Sequence, residues 1–282
     1  MRWSPHLGAL KRGLGLAASL VRAELTRPKR RLSPADRAVP AARTVLFPDF
    51  GPNPGKLRML VHQPAGATRP GQPLVVVLHG CGQDAAAFAR ASGWVAWAER
   101  KGVPLVLPEQ MRENNRGRCF HWFKPADTGR DQGEAGSIAA MTRSALAHFG
   151  SDPDRVFIVG LSAGGAMAAA MLAAYPDLFA GGAVVAGLPV GSAASGVQAL
   201  LRMAKAGDDQ APDAWIERIG LATGTTPTHR SAGHWPRLSV WHGEADTTVD
   251  PVNAIHLVAQ WRALHNLPAD PIIDSKAGGA RH

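Results

Sequence analysis

A chain of 282 residues with 45% apolar content can bury one sizeable core, so one α/β domain with an appendage is the natural expectation. The net charge of +9 sits almost wholly in residues 1–43, where ten Lys/Arg face only Glu24 and Asp36; residues 44–282 carry 21 basic and 20 acidic groups and give no argument for a nucleic-acid-binding catalytic domain. Two cysteines, Cys81 and Cys119, exclude a disulfide scaffold while leaving room for one bridge, and no apolar run is long enough to cross a bilayer.

The apolar residues Leu7, Leu10, Leu14, Ala17, Ala18, Val21 and Leu25 fall at helical spacing with Lys11, Arg12 and Arg22 between them. That pattern fits a basic amphipathic helix making weak contact with an anionic membrane surface, a weak export signal, or a surface helix or disordered leader; the last is preferred, because the apolar stretch is short and no clean small-residue cleavage site follows. Thr26 to Ala42 is rich in Pro and Arg and reads as a linker, so the folded domain, 44–282, is expected to begin near Thr44. Leu57 to Gln63 alternates apolar and polar as an early strand, and Gly66 to Gln72 forms its turn. Pro73 to Leu78 is an apolar run too short for a helix; it ends in His79-Gly-Cys-Gly-Gln83, a central strand opening into a Gly-rich loop. A helix over Ala85–Lys101 and a strand over Val103–Pro108 follow. The segment Glu109–Asp131 is irregular and polar, and carries Cys119-Phe-His-Trp-Phe123, which reads as the wall of a substrate pocket.

After a helix over Glu134–Phe149, the stretch Arg155-Val-Phe-Ile-Val-Gly-Leu-Ser162-Ala-Gly164 joins a β-branched strand to an Ala-rich helix through Gly-x-Ser-x-Gly. Passing from strand to helix without a loop forces the serine into a strained conformation, tolerable only if Gly160 and Gly164 leave room on either side. The hydroxyl is then held up at the sheet edge, which makes Ser162 a nucleophile candidate, and the NH of Ala163 points to where an oxyanion would form. The loop after Leu78 is placed to give a second NH, assigned to Cys81; His79, Gln83, Trp122 and Phe123 are the substrate-binding candidates.

Ala183–Leu188 reads as a further buried strand. Residues 190–236, with helices over Val197–Ala206 and Ala214–Ile219, interrupt the alternation and are expected to form a cap. The strand from Arg237 ends in Trp241-His-Gly-Glu-Ala-Asp246, where the chain order Ser, Asp, His puts a histidine's orienting carboxylate; Asp246 is the choice, with Glu244 and Asp250 as fallbacks. A helix over Val252–Leu267 precedes the segment Pro268–His282.

Taken together, Leu78-His-Gly-Cys-Gly-Gln83, Cys119-Phe-His-Trp-Phe123, Gly133-Glu-Ala-Gly-Ser-Ile138, Gly160-Leu-Ser-Ala-Gly164 and His242-Gly-Glu-Ala-Asp246 resemble the polyhydroxybutyrate depolymerase family of α/β-hydrolase esterases, over about residues 44–275. The resemblance implies an α/β-hydrolase fold, a mostly parallel sheet with helices on both faces and a cap insertion. It also implies an often exported serine esterase, extracellular or periplasmic, acting on an ester substrate without a cofactor; a monomer is expected, and the leader leaves a cytoplasmic location open. It supports pairing Cys81 with Cys119. In that family the general-base histidine follows one further strand. Only His256, His265 and His282 follow Asp246 here; the first two fall inside a predicted helix and His282 is terminal, so the expectation is that the last strand and the base are lacking, with His282 as the alternative base. An open sheet edge would accompany such a loss. Three functions therefore stand at this point: a serine esterase, a catalytically impaired ester- or polymer-binding relative, and a membrane-surface module driven by the leader. The scattered histidines show no paired spacing for a metal, so none is expected.

Overall fold

The computed structural model describes residues 43–66, 69–225 and 235–268, with the backbone of two short strands at Lys276–Ala277 and Ala280–Arg281. The leader and His282 lie outside the described residues, and so do the expectations attached to them.

Seven strands form one sheet: β1 (Arg43–Leu46), β2 (Arg58–Gln63), β3 (Leu74–Leu78), β4 (Leu105–Glu109), β5 (Val156–Leu161), β6 (Gly181–Val185) and β7 (Arg237–Trp241), in the order β1-β2-β4-β3-β5-β6-β7. β1, β2 and β4 pair antiparallel; β4, β3, β5, β6 and β7 pair parallel. The parallel part explains the apolar runs seen in the sequence. β3 and β4 are buried at every position, since helices cover both faces.

Alternate residues feed two cores, as a pleated strand requires. Leu74, Val76, Leu78, Val156 and Ile158 point to one side, against α4 (Gly133–Phe149), α5 (Ala163–Ala174), α7 (Pro212–Thr223) and α8 (Val252–Leu264). Val75, Val77, Val159, Leu105 and Leu107 point to the other, against α1 (Ala85–Ala91) and α2 (Trp94–Lys101). The single helix expected over 85–101 is therefore two helices, because Gly93 at φ 81° turns the chain between them. The irregular segment holds one short helix, α3 (Pro125–Thr128), and β6 begins at Gly181, ahead of the expected Ala183.

Within the expected cap, α6 (Gly196–Ala204) and α7 are formed. α7 is no surface excursion: Trp215, Ile216 and Ile219 are buried in the larger core, and Thr128 Oγ1 donates to Ala222 O at 2.6 Å. α6 buries only Ala199 and exposes Val197, Leu200 and Leu201. β7 is an edge strand of alternating exposed and half-buried residues; among the described residues no strand pairs with its outer side, and β8 (Lys276–Ala277) and β9 (Ala280–Arg281) pair with each other.

Candidate active site

The chain leaves β3 toward β4 on one side and returns to β5 on the other, so the carboxyl ends of β3 and β5 flank the topological switch point of the sheet, the usual place for a crevice. Ser162 stands there, between β5 and α5 with no intervening loop, at φ 54° and ψ −119°. A non-glycine residue at positive φ costs of order 1–3 kcal/mol and persists only where its surroundings hold it. Here they do: Ser162 N donates to Val185 O at 2.9 Å, and its carbonyl accepts from Ala166 N at 2.9 Å. The two glycines of the motif are required by contact. A Cβ on Gly160 would lie 2.1 Å from Gly164 O, and one on Gly164 would lie 2.4 Å from His79 O. α5 is thereby pressed onto the end of β3, and Ala163 is its first residue, whose NH has no partner within the helix.

The loop after β3 is tied down from two directions. Cys81 and Cys119 form a disulfide, and Gly82 N donates to Gly117 O at 2.7 Å. Cys81 and Gly82 themselves are exposed. Gly80 N donates to Gln83 Oε1 at 2.8 Å, so the Gln83 oxygen shapes the turn in addition to its expected role.

His79 needs a correction. It is wholly buried; its Nε2 accepts from Gln110 N at 3.1 Å, so the proton sits on Nδ1, which donates to Gly80 O at 2.8 Å. Burial holds its pKa below the ordinary imidazole value, and the ring is a neutral bridge between the ends of β3 and β4 with no face for substrate. Trp122 is likewise mostly core at 5% exposed, while Phe123 is half-buried. Both line a cavity of about 160 Å³ with Pro125, Ala193, Ala194 and Leu221, so the aromatic loop meets the cap; Ser162 is not among its lining residues.

Asp246 lies in the turn after β7. Its Oδ1 accepts from Thr248 N at 2.8 Å and Val249 N at 3.0 Å, and those bonds hold its pKa below the usual carboxylate value. Oδ2 is 3.4 Å from His242 Nε2. His242, which the sequence reading passed over, donates Nε2–H to Val249 O at 2.9 Å and so pins this turn. Of the fallback acids, Glu244 is exposed, and Asp250 is engaged at the start of α8, accepting from Val252 N at 3.0 Å and from Ala206 N at 2.9 Å. His256 is buried against Trp215, and His265 Nε2 lies 3.4 Å from Pro236 O; both belong to the packing of α8.

One polar group escaped sequence reasoning. Glu134, 1% exposed in the first turn of α4, accepts from His121 N at 2.8 Å, from His121 Nδ1 at 2.8 Å and from Gln110 Nε2. Burial raises its pKa. His121, Asp127 and Glu134 bring donor atoms within 4.8 Å of one another, but His121 Nδ1 and both Glu134 oxygens are already engaged in hydrogen bonds, an arrangement for holding a loop. The available signal was an acidic residue at a helix start following a Cys-Phe-His-Trp loop.

The family model described as Esterase PHB depolymerase matches residues 57–282. Poly(3-hydroxyalkanoate) depolymerase C of Paucimonas lemoignei is 42% identical over 83% of this chain and 55% of its own length. Acetylxylan esterase of Coprinopsis cinerea is 33% identical over 83% of this chain and 61% of its own length. This chain thus spans little more than half the length of these relatives. Among solved structures, an acetyl xylan esterase from Aspergillus awamori superposes with a TM-score of 0.74 at 24% identity, over 83% of this chain and 84% of that one, a likeness of fold.

Proposed function

This chain belongs to the esterase PHB depolymerase family, and from that premise we propose that it hydrolyses carboxylic esters through an acyl-enzyme on Ser162. The observation that carries the reading is Ser162 at φ 54°, a nucleophile elbow at the switch point beside the disulfide-tethered loop. Ser162 Oγ attacks the ester carbonyl while a histidine removes its proton. The NH groups of Cys81 and Ala163 receive the oxyanion; collapse of the tetrahedral intermediate expels the alcohol, which takes that proton, and water then releases the acid by the same steps in reverse. Asp246 holds the histidine's tautomer. Its Oδ2 suits this role, since both backbone bonds fall on Oδ1 and Oδ2 faces a histidine ring, that of His242, at 3.4 Å.

His282 is the candidate base in this chain, since His256 and His265 belong to the packing of α8. A catalytically impaired relative is the second reading, favoured by one observation: the described histidine beside Asp246, His242, has its Nε2–H taken by Val249 O. The substrate class covers polyhydroxyalkanoate oligomers, other short- or medium-chain esters, and acetyl or feruloyl esters, bound along the Trp122–Phe123 loop and the cap. The disulfide supports an oxidising compartment, extracellular or periplasmic. The protein acts as a monomer without a cofactor.

The test is hydrolysis of p-nitrophenyl butyrate by the chain and by Ser162→Ala and His282→Ala. Loss of turnover by about 10⁴- to 10⁶-fold in both variants supports the triad. Activity of the chain no higher than that of Ser162→Ala makes it the impaired relative.

A further inference from the structure

We propose that Glu134 is a positioning residue for the oxyanion loop at Gly80–Gly82, acting through Gln110 and His121. The inference rests on the esterase reading, because it is Cys81 NH that the loop presents.

Two arms lead from this one buried carboxylate. In the first, Glu134 accepts from Gln110 Nε2, which also donates to Cys119 O at 3.2 Å. The backbone NH of the same Gln110 donates to His79 Nε2 at 3.1 Å, and His79 Nδ1 donates to Gly80 O at 2.8 Å. In the second, Glu134 accepts both the backbone NH and the Nδ1 of His121, each at 2.8 Å. His121 lies two residues beyond Cys119, whose disulfide holds Cys81, and the Gly82 N to Gly117 O bond closes the same loop pair. Both arms therefore converge on the residues either side of Cys81.

The chemistry explains why a carboxylate stands here. An ionised group can accept from every donor in the set at once, whereas an amide would turn an NH₂ toward another donor. A buried charge is tolerated only when fully hydrogen-bonded, and the N-terminal end of the 17-residue α4 adds favourable field. The loop itself is exposed at Cys81 and Gly82, so its position there rests on the disulfide and the hydrogen bonds that tie it down. An oxyanion donor is effective only when it is in place before charge develops.

The experiment compares wild type with Glu134→Gln in kcat and KM on p-nitrophenyl butyrate, in thermal melting, and in amide exchange resolved over 79–83, 115–121 and 156–174. Removing an oxyanion donor outright costs roughly 10²- to 10³-fold in kcat, so loosening one should cost about 10- to 100-fold, with KM changed less than about twofold. Exchange should rise at 79–83 and 115–121 and stay unchanged at 156–174. Unchanged exchange at 79–83, an equal rise across 156–174, or unchanged kcat despite a mobile loop would each overturn the proposal. An inactive wild type whose loop still loosens in Glu134→Gln would sink the esterase reading alone. Should Glu134→Gln fail to fold, Gln110→Met removes the first arm's donor, together with the Oε1 acceptor of Met111 N and Asn114 Nδ2, and should still raise exchange at 79–83 with 156–174 unchanged.

Discussion

The turn that carries Ser162 and the turn that carries Asp246 are built on opposite principles. The first has no loop: β5 passes directly into α5, every residue of α5 is buried, and two glycines meet at distances no side chain could share. The second spans 242–251 on the surface, after an edge strand, with Glu244, Ala245, Thr247 and Thr248 exposed and the acid held by two backbone NH groups. Close packing places Ser162, and local hydrogen bonding places Asp246. Enlarging the glycines of the first should break the fold, and removing the Asp246 charge from the second should leave the fold in place.

The largest expected effect is Asp246→Asn. Because Thr248 N and Val249 N both bond Oδ1, an asparagine keeps the turn and loses only the charge at Oδ2. Turnover of p-nitrophenyl butyrate should fall by roughly 10⁴-fold, while urea denaturation should shift by less than about 1 kcal/mol. Retained activity would move the acid to Asp250 or Glu244. Next comes the pair Cys81→Ser with Cys119→Ser: a link across 38 residues contributes about 4 kcal/mol by loop closure, read as a lowered urea midpoint. Gly160→Ala should cost about 3 kcal/mol, the upper end for overpacking, because the new Cβ meets backbone and has nowhere to go; a well-folded variant of wild-type stability would refute the close-packing account.

A pH effect of smaller size belongs to His79. Its folded pKa is depressed below 6.5 because burial disfavours the charged ring, and protonating Nε2 would also set N–H against the N–H of Gln110. The unfolded chain therefore takes up the proton first. The stability contribution is present in full above pH 6.5 and is lost as pH falls from there toward the folded value. The His79 ring resonance should titrate at a lower pH than that of an exposed histidine, and a midpoint at or above the ordinary value would contradict the bridge geometry. At the small end, Gly243→Ala meets nothing within 4 Å and should stay within about 0.5 kcal/mol of wild type, which contrasts most sharply with Gly160.

What was legible in the sequence follows the same division. The Val156–Ala174 strand, turn and helix could be read because local residue types dictate them: a β-branched run, glycines where backbones touch, small residues for a helix buried all round. β6 was placed two residues late because Gly181 and Gly182 look like breakers, whereas a Cβ at either would strike Arg237 O or Ile158 O of the neighbouring strands. The break at Gly93 inside an apparently continuous helical pattern is a backbone choice that periodicity does not register. His79 was misread for a different reason. Its place before a Gly-rich loop suggested contact with substrate, but Gln110 N and Gly80 O had already engaged both ring nitrogens. The Glu134 cluster, joining residues 110, 121 and 134 around a carboxylate, left in the sequence only an acidic residue at a helix start, and its partners emerge when the chain is folded.

α5 carries a last consequence, which concerns how the protein reaches this state. A helix apolar on every face, made largely of alanine, has no side that water stabilises, so it gains nothing by forming ahead of its sheet. Its formation and its docking are one event. The β5–α5–β6 crossover that receives it spans only 156–185, so the required contacts are short-range and cheap in chain entropy, and this unit is the natural nucleus on which the longer connections to β3 and β7 condense.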